Sequence, residues 1–262
     1  MLNLSELLNK ELEKKSYEAA ANGDIDFFEE ALKIEYFKNF NDEILSNYRI
    51  VSIFEIACFQ EQIELLDYFF SSKQWYPIFN KTSILLSAVN KSCEDNCLDT
   101  IKYLTNSPKI KVSVDLPVSF FNTASQNGNL EIIEYILNNF ERKPGIQLAL
   151  INGSFLHTAC SNNRLDVIKF FFNRPKTLPN GFKNIHKEDL FKIAHKYEHH
   201  EILEYLIFEL DIKMNKIVKQ CLKDEPNESV NKMFQQRELN KSLQSELAIS
   251  IGKKNINKKY KI

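Results

Sequence analysis

The sequence predicts an all-α protein, a helical-repeat solenoid of about six units with a C-terminal capping helix and tail. Three observations carry this expectation. Six short apolar clusters each end in an alanine, at Ala19, Ala57, Ala88, Ala124, Ala159 and Ala194, with spacings of 38, 31, 36, 35 and 35 residues. A period near 35 is the mark of stacked supersecondary units. A polar corner and then an amphipathic stretch ending in paired bulky residues follow each cluster. Finally, Pro77, Pro108, Pro117, Pro144, Pro175 and Pro179 all fall between units and none in a predicted helix, as the cost of proline inside a helix requires.

Taken in order, residues 2–22 read as a helical lead-in that merges with the first unit. The stretch 33–50, with Tyr36, Phe37, Phe40, Ile44 and Leu45, reads as the end of that unit's second helix followed by a packed loop. The clearest unit is Phe121–Leu137. Phe121 and Ala124 stand three apart, hence on one face of a short first helix. Asn127-Gly128 ends that helix, because the left-handed residue a helix end requires favours Gly or Asn. Leu130, Ile133 and Ile136/Leu137 then line a second helix. Leu156–Phe172 follows the same plan, Phe54–Phe70 and Phe191–Ile207 follow it with drift, and the Ala88 unit carries about four extra residues in its corner. Neither helix of a unit buries its own stripe, so several must stack. Met214, Ile217/Val218 and Cys221/Leu222, with Lys213, Lys216 and Lys219 opposite, read as the polar-backed cap that a terminal unit needs. The division expected is a repeat domain over 1–222 and a polar, helical or disordered tail over 223–262. Within that tail Leu243, Leu247 and Ile251 place a helix over 229–251, and the basic end from Lys253 reads as solvated chain.

These residues resemble the ankyrin repeat. Ser154-Phe-Leu-His-Thr-Ala-Cys160 looks like the family's Thr-Pro-Leu-His-x-Ala-Ala opening, and Gly128-Asn-Leu-Glu-Ile-Ile-Glu-Tyr-Ile-Leu137 looks like its Gly-His/Asn-Leu-x-x-Val-x-x-Leu-Leu continuation. The resemblance covers roughly residues 16–207. No unit has the Pro of the opening, and His157 alone supplies its His. The resemblance implies a non-catalytic module that binds a protein partner on the concave face. It also implies that His157 is structural, hydrogen-bonding to a loop.

Composition excludes other classes. The chain of 262 residues is 44% hydrophobic and 26% charged, an ordinary globular balance. With a net charge of −1 it lacks the overall basic footprint of a nucleic-acid binder, and no apolar run approaches the ~18 residues of a membrane span. The amphipathic, acidic N-terminus lacks the plan of a signal peptide. The five cysteines then point to a reducing compartment, so the expected location is cytoplasmic. The alternative is an adaptor or effector of an intracellular microbe, secreted into a host cytosol through a C-terminal signal. An enzyme within 223–262 ranks last, since so short a segment cannot bury a core of its own.

No chemistry rises above this background. Cys58 and Cys160 directly follow the repeat alanine and read as small core residues. Cys93 and Cys97 read as two thiols in a loop, with no further zinc ligands nearby. His195, His199 and His200, with Glu198 and Glu201, are interrupted by the expected helix end at Tyr197–Glu198, and His200 should be partly buried at the position of Leu130. No phosphate loop, nucleophile motif or cofactor site is present, and no small-molecule substrate is expected. The candidate partner-binding residues are the exposed first-helix positions: Phe59, Gln60, Asn90, Lys91, Gln126, Ser161, Lys196 and Tyr197. Phe59 and Tyr197 read in two ways, as interface anchors or as rings folded onto a neighbouring repeat. Trp75, just past a second helix, reads as packing.

Overall fold

A computed structural model describes residues 4–33, 46–111, 115–173 and 187–259, and every regular element among them is a helix. Helices pair in order: α1 (Leu4–Asn22) with α2 (Ile25–Ala31), α3 (Ser46–Phe59) with α4 (Ile63–Ser71), and, after the one-turn α5 (Tyr76–Phe79), α6 (Thr82–Glu94) with α7 (Leu98–Asn106). Next come α8 (Leu116–Asn127) with α9 (Leu130–Phe140), the connecting α10 (Pro144–Asn152), α11 (Ser154–Ser161) with α12 (Leu165–Asn173), and α13 (Lys187–Lys196) with α14 (His200–Glu204). The last pair ends in a π-helical turn, Tyr205–Glu209, before α15 (Lys216–Asp224) and α16 (Glu228–Lys259). The first helices α1, α3, α6, α8, α11 and α13 pack side by side in one layer, and α15 packs on α13 where the next first helix would stand. The second helices α4, α7, α9 and α12 form the other layer, while the contact between α12 and α14 is weaker.

One corner recurs between the helices of every pair. The N–H of Asp24, Gln62, Cys97, Asn129, Arg164 and His199 donates to the carbonyl five residues back, on Ala19, Ala57, Ser92, Ala124, Ala159 and Ala194, at 2.8–2.9 Å. The residue just before each of these donors has positive φ: Gly23, Glu61, Asn96, Gly128, Asn163 and Glu198. This is the Schellman ending, in which a left-handed residue lets the chain turn back on the last carbonyls of the helix. At Gly23 a Cβ would have a strained φ and would displace the Gln62 side-chain amide.

The corner corrects the phase of the third unit. Its repeat position is Ser92, not Ala88, so α6 is one turn longer than expected and no insertion exists in the corner. Cys93 thereby becomes the residue after the repeat position, equivalent to Cys58, Ser125 and Cys160. Cys93 stands inside α6 rather than in a loop, Cys97 stands in the corner as expected, and both are buried. Asn90 and Lys91 move one turn away from the equivalents of Phe59 and Gln60, which are Glu94 and Asp95.

Other expectations shift for similar reasons. Pro77, Pro117 and Pro144 stand inside helices, but in the first turn, where no backbone donor is lost. Pro175 and Pro179 lie outside the described residues, as does most of the loop expected at 33–50, although residues 46–50 already belong to α3. The cap is buried at Val218, whereas Ile217 is exposed.

The C-terminal helix is longer than expected, and its packed face is not the one that predicted it. Val230, Phe234 and Arg237 are buried, while Leu243 and Leu247 are 55% and 61% exposed. Packing therefore continues past residue 222. Arg237 fixes it: its guanidinium donates to the carbonyls of Ile207 and Ile212, lies 3.4 Å from Asp211 and covers the Phe234 ring at 4.9 Å. The Ile207 carbonyl at the end of the last second helix and the Ile212 carbonyl just beyond it gain a charged donor this way. Hydrogen bonds from Lys213 and Lys241 hold the Asp211 carboxyl well below the usual carboxylate range.

The core holds two aromatic clusters. Phe28 meets Phe69 edge-on at 5.0 Å, Phe69 meets Phe79 at 4.4 Å, and Trp75 stacks on Phe79 at 5.7 Å, so Trp75 is packing. Phe121, Phe155 and Phe171 form a second cluster, with 4.3 Å between the latter two.

The corner sets the outcome of three substitutions. Ala124 is fully buried, so Ala124→Leu should lower stability by roughly 1–3 kcal/mol. Ser92 is equally buried but its hydroxyl has no hydrogen-bond partner among the described residues, so Ser92→Ala should raise stability by about 1 kcal/mol. Urea unfolding midpoints that rank the two variants otherwise would refute this repeat phase. Glu198 holds a left-handed φ of 57° that disfavours a side chain, so Glu198→Gly should stabilise by up to ~1 kcal/mol, read as a rise in Tm.

The thiols supply a further outcome. Burial pushes the Cys93 and Cys160 thiols up to about 12, and burial together with the Glu61 carboxylate pushes Cys97 to about 11. Burial also raises Cys58 well above its ordinary value. At pH 8 half-buried Cys221 should react first with a thiol reagent, and the other four only on unfolding. Because folding disfavours these thiolates, the stability they contribute is complete below pH 9 and is lost as pH rises toward 12. A melting temperature that is flat across that window would contradict the assignment.

Candidate interaction surface on the first helices

The corners also decide what the first helices can present. At four of the six corners the residue that closes the corner reaches back to a carbonyl of the preceding unit. Gln62 Nε2 donates to the Ala21 carbonyl at 2.8 Å, Cys97 Sγ to Phe59 O at 3.4 Å, and Arg164 Nε to Gln126 O at 3.0 Å, while His199 Nε2 meets Ser161 O at 3.1 Å. Each acceptor is a last-turn carbonyl without a partner inside its own helix. Backbone at this edge is thus satisfied from the next unit, and the side chains of Phe59, Gln126, Ser161 and Lys196 share one row along it.

Most of the predicted residues are exposed. Gln60, Asn90, Gln126 and Lys196 lie in solvent, and Lys91 and Ser161 are half-buried. Phe59 is 40% exposed and Tyr197 50%. Neither ring is core, but neither is unsupported. Lys91 Nζ lies 5.5 Å from the Phe59 ring centroid, and Tyr197 stacks on His199 at 5.9 Å with Lys196 Nζ 5.2 Å away. Lys91 also pairs with Asp95 at 2.9 Å and Glu94 at 3.4 Å, and Asn90 Oδ1 accepts from Thr123 Oγ1 at 3.5 Å. Despite the phase correction these two residues remain on the exposed layer, tied to neighbouring units. Ser161 donates to the His157 carbonyl at 2.9 Å. Phe59 and Tyr197 stand four units apart, about 40 Å at the usual spacing of packed helices.

The histidines divide. His195 is buried and stacks on Phe191 at 5.8 Å, with Nδ1 3.9 Å from Glu225. His200 is exposed rather than partly buried. The helix break at Glu198 separates His195 from the other two, and among the described residues no group of three or more His, Cys, Asp or Glu is placed to hold a metal ion. His157 is half-buried in an outward row with Glu55, Asn90, Asn122 and Lys192, and no ring hydrogen bond forms among the described residues. The histidine that bridges units is His199. Sequence reasoning missed it, although its alignment with Gln62 and Arg164 in the corner was available as a signal. No described helix is long and apolar enough to cross a membrane.

The family model for ankyrin repeats (3 copies) matches residues 121–218. That span runs from α8 to α15 and includes the corners at Ala124, Ala159 and Ala194. No curated protein and no solved structure matches the chain. Residues 121–218 thus carry ankyrin repeats, and the corners of the N-terminal half repeat the geometry of that span.

Proposed function

We propose that this chain recognises a protein partner through its concave face, the layer of first helices, without catalysis. Ankyrin repeats make a protein–protein interaction module. The observation that supports this face over the others is the row of exposed side chains on the first helices, ending in two aromatic rings. Phe59 and Tyr197 keep 40% and 50% of their surface in solvent, yet each is held in place by a neighbouring cation or ring. A pre-positioned aromatic loses little conformational freedom on binding, which is why such rings serve as anchors. Between them Gln60, Gln126, Ser161 and Lys196 offer polar contacts, and Asn90 and Lys91 add a polar patch beside Phe59. The separation of the two rings calls for a partner that extends along the stack.

The double variant Phe59→Ala, Tyr197→Ala tests this reading. Loss of a hot spot costs ~2 kcal/mol or more, about thirtyfold in affinity. Affinity purification with mass spectrometry should show the main partner lost from the variant and retained by wild type, with superimposable melting curves. An unchanged set of captured proteins with unchanged stability would move the binding site elsewhere.

A further inference from the structure

The second-helix layer carries a repeated aromatic that the first-helix reading does not use. Tyr68, Tyr103, Tyr135, Phe170 and Tyr205 each stand six residues after the residue that closes the corner. In the middle of the stack the preceding second helix holds the hydroxyl. Tyr103 Oη donates to Asp67 at 3.2 Å, and Tyr135 Oη accepts from Asn106 Nδ2 at 2.8 Å and meets Thr105 Oγ1 at 3.1 Å. Tyr205 breaks the series. The residue in the place of Asp67 is Lys169, which offers no acceptor and instead lies over the ring with Nζ 5.6 Å from its centroid. The Tyr205 hydroxyl is buried with no hydrogen-bond partner among the described residues, in a residue only 7% exposed.

At that place the second helices separate and a groove of about 400 Å³ opens, within the size range of ligand sites. Tyr205 and Phe208, the latter 39% exposed, supply its apolar surface, and Glu201, Glu204 and Glu209 line it against Lys169, the one cation among its lining residues. None of the three carboxylates has an ion-pair partner among the described residues. The chain here is the π-helical turn, where the Leu210 N–H donates to Tyr205 O at 3.0 Å. Such turns are frequent at functional sites.

We propose that this groove is a second docking site, for an arginine side chain presented by a protein partner. Three unpaired carboxylates against one ammonium select a cation, and the exposed Phe208 ring selects one with a flat, weakly hydrated face. A guanidinium has five donors to divide among the carboxylates and the unpartnered Tyr205 oxygen, and it stacks on aromatic rings where an ammonium is held as a point charge. The site lies on the opposite layer from Phe59 and does not depend on the first-helix surface.

The full chain, 15N-labelled and titrated with N-acetyl-arginine-methylamide, tests the proposal. Amide shifts should move only around residues 165–169 and 200–209 and saturate at millimolar ligand. The isosteric, uncharged citrulline compound should leave them still. Glu201→Gln with Glu204→Gln should weaken the titration at least tenfold while the melting temperature holds, and the Phe59→Ala, Tyr197→Ala variant should titrate like wild type. Equal shifts with the citrulline compound, arginine shifts scattered over other acidic surfaces, or wild-type titration by the double glutamine variant would each overturn it.

Discussion

Everything in this structure hangs on the carbonyl at the repeat small residue and the N–H five residues on. That one hydrogen bond, with a left-handed residue just before the donor, sets where each first helix stops and the angle at which the second begins. It forces the residue at the carbonyl to be small, because the next first helix packs against it, so five of the six are alanine and the sixth is serine. It also tolerates chemistry that local preference disfavours. Glu61 and Glu198 occupy the left-handed position where glycine is the ordinary choice, at a local cost of about 1–2 kcal/mol each, and the packing of the stack outweighs it. Glu61 offsets part of that cost by accepting the Asp99 N–H at 2.9 Å, at the start of the next second helix.

The same corner couples each unit to its neighbour. Gln62, Cys97, Arg164 and His199 differ in chemistry, yet each places a polar atom on a last-turn carbonyl of the preceding first helix. The geometry selects for reach and polarity rather than for one residue type, which is how the repeats diverge in sequence while keeping the stack. Two consequences bear on function. The first-helix edge has its last-turn carbonyls occupied at these four corners, so the recognition proposed there would fall to side chains. The second-helix layer depends instead on side-chain pairs such as Tyr103 with Asp67 and Lys109 with Asp67 at 2.6 Å. Where the pairing fails, at Tyr205, that layer opens.

The end of the stack obeys the same constraint. A solenoid must close its last unit with something that is not another unit. Here α15 covers the last first helix through Val218, and Arg237 of α16 brings its guanidinium to the carbonyls of Ile207 and Ile212, at and just past the end of the last second helix. A buried arginine is stable in that place because two carbonyls, Asp211, Glu238 and the face of Phe234 receive its charge.

Sequence alone determined the class, the period and most of the core, because burial of a helix stripe writes itself into apolar spacing. It located five of the six repeat positions, Cys58 and Cys160 as core and Trp75 as packing, and left open whether the Phe59 and Tyr197 rings are exposed or folded onto a neighbour. It mistook Ala88 for Ser92, since two small residues one turn apart present the same face and only the hydrogen bond tells which carbonyl the chain turns back on. It placed Leu243 and Leu247 on a helix without saying which way they face. That depends on Arg237 meeting carbonyls 25 and 30 residues earlier in the chain. The corner alignment of Gln62, Arg164 and His199 is legible in the sequence, but the carbonyls they reach, and the missing partner of Tyr205, were decided by tertiary structure. These links join residues about one repeat apart, and such contacts depend on how the units stack rather than on the pattern within any one of them.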